Sequence, residues 1–245
     1  MRIKVGDVFI TKQGYEIAVI SYSTHSCITV EFKDKNKHRL VTRARNIKRG
    51  GIENPYHPKN FGVGFMGVGL FSSRANSKQT DIYTAWRNML MRCYCEKRLV
   101  ERPTYLNCFV CDSWLNFQNF AQWMTDHNYD ASKHQLDKDI LKTNNKIYSA
   151  DNCCLVPSEI NNLFTDSGAS RGKYPQGVTL HKGRFRARMS AGKKTIGIGF
   201  YDTPQEAHQA YVVAKEAYVK ELANKWRGRI DERVYDALMN WTVHP

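Results

Sequence analysis

Polar and hydrophobic positions alternate through the first fifty residues of this chain. DVFI, YEIAVISY, CITVEF and HRLVTRARNI are β-branched or aromatic-rich runs, with KQG and DKNK between them. A period of two predicts four or five short strands, a small barrel-like β module over 1–50. Arg39, Arg43 and Arg45 recur at roughly even spacing in the last run, so they are expected to share a strand face. From 51 to 80 neither period persists. Glycine is dense and Pro55 and Pro58 interrupt, which predicts a Gly-rich linker or a wrapping segment.

From 81 to 130 the period becomes helical. Ile82, Trp86, Met89, Leu90 and Cys93 mark one face, and Trp114, Phe117, Phe120, Trp123 and Met124 a second. These aromatics are expected in a core rather than on a base-stacking platform. In HQLDKDILKTNNKIYSADNCCLVPSEINNLF (134–164), Leu136–Ile140 can form a strand, KTNNK a turn, and IYS or CCLV a second strand. Pro157 then opens a helix carrying Glu159, Asn161 and Asn162.

The stretch from 174 to 223 reads as three strands separated by HKG and SAGK turns, followed by a helix. Thr203 is its expected N-cap, Pro204 its first residue, and Glu206 completes a capping box. A mostly small face, Ala207, Ala210, Tyr211, Ala214 and Tyr218, should lie close on the sheet. In the second strand Arg184, Arg186 and Arg188 alternate with Phe185, Ala187 and Met189, so the guanidiniums face away from the helix. The expected class is therefore α+β in several modules. They are the barrel-like module (1–50), the linker (51–80), a helical plus ββα core (81–166), a three-stranded antiparallel sheet with one helix (171–225), and a C-terminal helix (228–241).

Charge adds a partner to this picture. The net charge is +14, but 1–50 carries 11 Lys/Arg against 4 acids and 171–230 carries 13 against 4, while 81–170 carries 9 against 11. Two basic ends around a near-neutral middle suit a polyanion. Arginine is suited to bidentate contacts with base edges and phosphates, so Arg184, Arg186 and Arg188, with Lys193 and Lys194, suit double-stranded DNA. No run of about 18 apolar residues predicts a membrane span. MRIKVGDVFI is too short and polar for a secretory signal, so a cytoplasmic location is expected. Seven cysteines then imply reduced thiols or metal ligands. Cys93, Cys95, Cys108 and Cys111 form C-x-C and C-x₂-C, a poor match to two zinc knuckles because the first pair is tight and Cys93 also fits the helix face. Cys153 and Cys154 read as buried small hydrophobes.

Two resemblances carry the functional expectation. QGVTLHKGRFRARM…IGIGFYDTPQEAHQAYVVAK resembles the APETALA2-type integrase DNA-binding domain, which implies a three-stranded sheet in the major groove with Arg184, Arg186 and Arg188 as contacts. HQLDKDI…DNC…EIN, with the upstream YTAWRNMLMRCY…PTY…C…W…F…F, resembles the phage-type HNH (histidine-metal finger) homing endonucleases. That resemblance implies Asp137 as the metal-binding acid, Asn152 as the residue pinning the inter-strand loop, and Asn161 as the helix residue closing the metal site. An Asp and an Asn oxygen would favour Mg²⁺ or Mn²⁺ over Zn²⁺. The family's general-base histidine is replaced by Lys138, beside Asp137 and Asp139, which raise a lysine pKa rather than lower it. Lys138 acting as base or charge stabiliser, His134 as substitute imidazole, and a site that cleaves little are three open readings. The resemblance implies an endonuclease that nicks or cuts double-stranded DNA; one such active site cuts one strand, so the expected monomer should nick. Its rival is a catalytically weak or inactive DNA-binding protein, and a third reading is RNA binding by the basic N-terminal module.

Overall fold

The computed structural model describes residues 2–164, 173–192 and 194–243. The chain mixes helices with several small sheets, none of which closes into a barrel among the described residues. No helix there is long and apolar enough to cross a membrane. Two compact units emerge, Met1–Leu106 with Val110–Gln122, and Asn107–Phe109 with Trp123–Pro245. The division falls inside the 81–166 stretch.

The first unit begins with an antiparallel meander, β1 (Val8–Ile10), β2 (Glu16–Thr24), β3 (Cys27–Phe32) and β4 (Arg39–Thr42), in that order across the sheet. Period two works as expected in β3, where Ile28, Val30 and Phe32 are buried and pack with Ile3, Ile17, Val19, Ile47 and Ile52. The barrel expectation fails because β1 and β4 remain the two edges of an open sheet. The shared strand face of Arg39, Arg43 and Arg45 fails as well. β4 stops at Thr42, Arg43 is the N-cap of a short helix α1 (Ala44–Lys48), and Arg45 lies within that helix.

The segment from 51 to 80 wraps rather than links. Gln118 explains how: its Nε2 donates to the Met66 and Phe71 carbonyls (3.2 and 2.9 Å) and its Oε1 accepts from Phe71 N (2.9 Å). Gly64 sits so close to Leu90 and Trp86 that a Cβ would collide with both side chains. Backbone held by side-chain amides and close contacts has no hydrophobic period to detect. Helix α2 (Asp81–Tyr94) is capped by Thr80, whose hydroxyl accepts from Tyr83 N. Its Trp86, Met89, Leu90 and Cys93 are buried, as are Trp114 and the Phe117 and Phe120 of α3 (Phe117–Asp126).

In the second unit β5 (His134–Asp137) pairs antiparallel with β6 (Cys154–Pro157), and α4 (Ser158–Asn161) follows at once. β7 (Val178–His181), β8 (Arg184–Ala191) and β9 (Lys194–Tyr201) form the three-stranded antiparallel sheet with β8 central. Helix α5 (Pro204–Trp226) has the complete Thr203/Glu206 capping box, and α6 (Glu232–Met239) follows.

Its buried stripe is Ala207, Tyr211, Lys215, Val219, Leu222 and Ala223. The stripe therefore drifts off the expected one after Tyr211, because α5 covers two different partners. Ala207 packs with Val178 and Ala187 of the sheet. Val219, Leu222 and Ala223 pack instead with Cys154, Val156 and Ile160 of the ββα element and with Val234 and Leu238 of α6. Gly177, at φ +82°, holds the turn into β7 and faces the Tyr211 ring too closely to admit a Cβ.

The ββα element and the arginine face

Asp137 ends β5 and is largely withdrawn from water. Its Oδ1 accepts from the backbone N–H of Asp139 and of Ile140, both at 2.8 Å. Burial nevertheless outweighs those two bonds and raises its pKa above the usual carboxylate value. Lys138 turns the other way, into the protein, and is only 6% exposed. Its ammonium donates to Asp139 Oδ1 and to the Asn145 carbonyl, each at 2.6 Å, and lies 6.0 Å from the Tyr148 ring centroid. Both strong acceptors are thus already taken up in holding the loop. Asp139 is half exposed beyond that pair.

The loop between the strands is pinned by Asn145. Its Nδ2 donates to the Lys138 and Ile147 carbonyls (2.8 and 2.7 Å) and its Oδ1 accepts from Ile147 N (3.1 Å). Asn152, the residue expected to pin the loop, makes only a local turn, with its N–H and Nδ2 both reaching Ser149 Oγ (3.3 and 3.0 Å). The sequence cue was the doublet in KTNNK: Asn144 takes φ 59° and frees Asn145 to reach inward.

Asn161, the second expected ligand, has its amide nitrogen engaged on the strand. Asn161 Nδ2 donates to Gln135 Oε1 (2.6 Å), and Gln135 Nε2 in turn reaches Ser158 Oγ (3.1 Å). Gln135 precedes Asp137 by two strand residues, roughly 7 Å along β5. Among the described residues no group of three or more His, Cys, Asp or Glu side chains is placed to hold a metal ion. Mg²⁺ takes oxygen ligands and commonly uses one or two carboxylates, water and substrate phosphates, and Asp137 is the carboxylate that ends β5 here. Cys93 and Cys108 are buried, Cys95 and Cys111 half-buried, and none of the four is in a disulfide.

His134 stands at the far end of β5, three residues before Asp137. Its Nδ1 accepts from Asp130 N at 3.2 Å, so the neutral ring carries its proton on Nε2 and offers no second basic nitrogen.

The ββα element is also tied to α5. Lys225 Nζ bonds both Glu159 oxygens (2.9 and 2.8 Å) and Trp226 Nε1 bonds one of them (3.0 Å), which holds the Glu159 carboxyl below its ordinary range. Lys215, buried in the α5 stripe, donates to the Leu163 carbonyl (3.1 Å), and burial lowers its pKa. These long-range ties leave no local trace in the sequence.

On the three-stranded sheet the expected alternation is present. Phe185, Ala187 and Met189 lie on the helix side, where Ala187 is fully buried and Phe185 packs into the helix-covered cluster. Arg184, Arg186 and Arg188 lie on the outer side. Arg184 bonds Asp202 Oδ1 through Nε (3.1 Å) and the Phe200 carbonyl through Nη2 (3.3 Å). Arg186 is paired in register with Phe200 and its guanidinium lies 6.0 Å from that ring's centroid. Arg188 is exposed opposite Gly197. The register steps from Ala187↔Gly199 to Arg188↔Gly197, a bulge that sharpens the local twist. Lys194 opens β9 and is exposed, whereas Lys193 lies outside the described residues. In the first unit Arg39 is paired with Glu31 across β3 and β4, while Arg43 and Arg45 are exposed. No protein-family model matches the chain, and neither the curated proteins nor the solved structures give a match.

Proposed function

We propose that this chain recognises double-stranded DNA through the outer face of its C-terminal sheet, with a ββα element of HNH type anchored to the same helix. The observation that carries this reading is the placement of Arg184, Arg186 and Arg188 on the side of the sheet that α5 does not cover. Guanidiniums aligned on one face of a twisted antiparallel sheet suit the phosphates and guanine edges of a major groove. Arg184, braced by Asp202 and a backbone carbonyl, is pre-organised at little entropic cost.

Two readings of the ββα element follow from different observations. Endonuclease activity with Mg²⁺ or Mn²⁺ is supported by the order strand, pinned loop, strand, helix, with a half-buried carboxyl ending the first strand. Binding with weak or absent cleavage is supported by the fate of the expected base and ligand. Lys138 is sealed into the loop, His134 has its Nδ1 occupied, and Asn161 is bonded to Gln135. General-base catalysis needs a free lone pair within reach of water, and neither residue supplies one. We therefore take DNA binding as the function and cleavage as the lesser component. Supercoiled plasmid incubated with the wild type or Asp137→Ala, each with Mg²⁺, Mn²⁺ or EDTA, should be retarded in a gel yet remain supercoiled throughout. Metal-dependent open circles that disappear in Asp137→Ala would instead establish an endonuclease.

A further inference from the structure

The arginine face holds one bulky apolar group that contacts to phosphate and guanine leave unused. Phe200, on β9, is 47% exposed. It faces Arg186 across the strands, and the His181 ring lies 5.8 Å from it at 43°. Its neighbours Ile198 and Tyr201 pack into the helix-covered cluster instead. Farther along β9, Gly197 pairs with the outward Arg188 and lies beneath the Arg186 guanidinium, whose Nη2 would stand 3.5 Å from a Cβ there, so the small residue makes room for that guanidinium beside the ring. A lone exposed phenylalanine is ordinary on a protein surface. Phe200 differs because a guanidinium and an imidazole flank it within a cationic face.

The major groove of DNA presents one apolar group, the C5-methyl of thymine, and uracil lacks it. A ring set among arginines that would read base edges is the apolar group on this face that such a methyl would meet. Stacking of Phe200 on an unpaired base, the usual mode for single-stranded RNA, would compete with Arg186 over the ring. We infer that Phe200 reads the thymine methyl, which makes thymine-containing duplex DNA the ligand of this face. The inference rests on the duplex-DNA reading above and adds its specificity-determining residue.

The test uses the full chain to select random-core duplexes, which are then resynthesised with either thymine or uracil. The wild type should bind the thymine form about fourfold more tightly for each methyl contacted, the effect of burying one methyl-sized group. Phe200→Ala should bind both forms alike, whereas Arg188→Ala should weaken both and keep their ratio. Equal wild-type affinity for the two forms overturns the inference, even if Phe200→Ala does not fold. So does a Phe200→Ala protein that folds and keeps the preference. Selection of no duplex, with capture of single-stranded RNA, would remove the DNA reading and the inference together, which separates that failure from indifference to thymine.

Discussion

Asn145 and Asn152 make the residue-scale case, because they have the same side chain in very different positions. Asn145 is 6% exposed and satisfies two carbonyls and one N–H of the loop. Removing it leaves a buried Lys138 carbonyl and the part-buried Ile147 groups without their partner, at about 1–3 kcal/mol for each that stays unpaired. Asn145→Ala should therefore destabilise the chain by roughly 2–4 kcal/mol in urea unfolding, and Asn152→Ala by under about 1 kcal/mol. Equal losses in the two variants would show that the loop is not held through Asn145. The same loop explains Lys138. A lysine between two aspartates in the sequence reads as a surface charge or an odd base, yet here it is an interior donor that binds the strand end to the loop.

At the scale of elements, α5 is the piece whose two halves serve different partners, and Lys215 sits where they meet. Burial lowers its pKa from 10.5, so the folded chain gives up this proton before the unfolded chain does. As pH rises towards 10.5 the unfolded state holds more protons, and stability from this group is regained. Below the lowered pKa the cost of burying the ammonium is present in full. Lys215→Met removes that cost, so it should raise the Tm near neutral pH, with a gain that shrinks as pH approaches 10.5. Melting curves at about pH 7.5 and about pH 10 check this, and a constant gain would contradict it. Local chemistry made α5 legible at its start, since Thr203, Pro204 and Glu206 act within one turn. The alternation in β3 and β8 was legible for the same reason, because each residue's face depends on its immediate neighbours. The wrap of 51–80 was not, as Gln118 holds it from far along the chain. Nor was the open meander, because closure depends on whether β1 meets β4, which no local pattern encodes. Asn161 shows the limit at the site: the motif locates it on the helix, but its partner is chosen by the strand register that places Gln135 beside it.

At the scale of the molecule the charge is the dominant feature, a net +14 with basic ends flanking a slightly acidic middle. On the proposed reading, DNA affinity would come largely from released counterions, with a logarithmic salt slope of about −0.9 per phosphate neutralised. The C-terminal face supplies the part of that charge with fixed geometry, while Arg43 and Arg45 of the first unit are exposed without such bracing. The decisive measurement is duplex affinity across a salt series for the wild type and for the Arg184→Ala/Arg186→Ala/Arg188→Ala variant, with melting curves for both. Weaker binding by the variant, a slope shallower by about 2 to 3, and an unchanged melt are the predicted result. Unchanged affinity and slope in a folded variant would show that this face does not bind DNA.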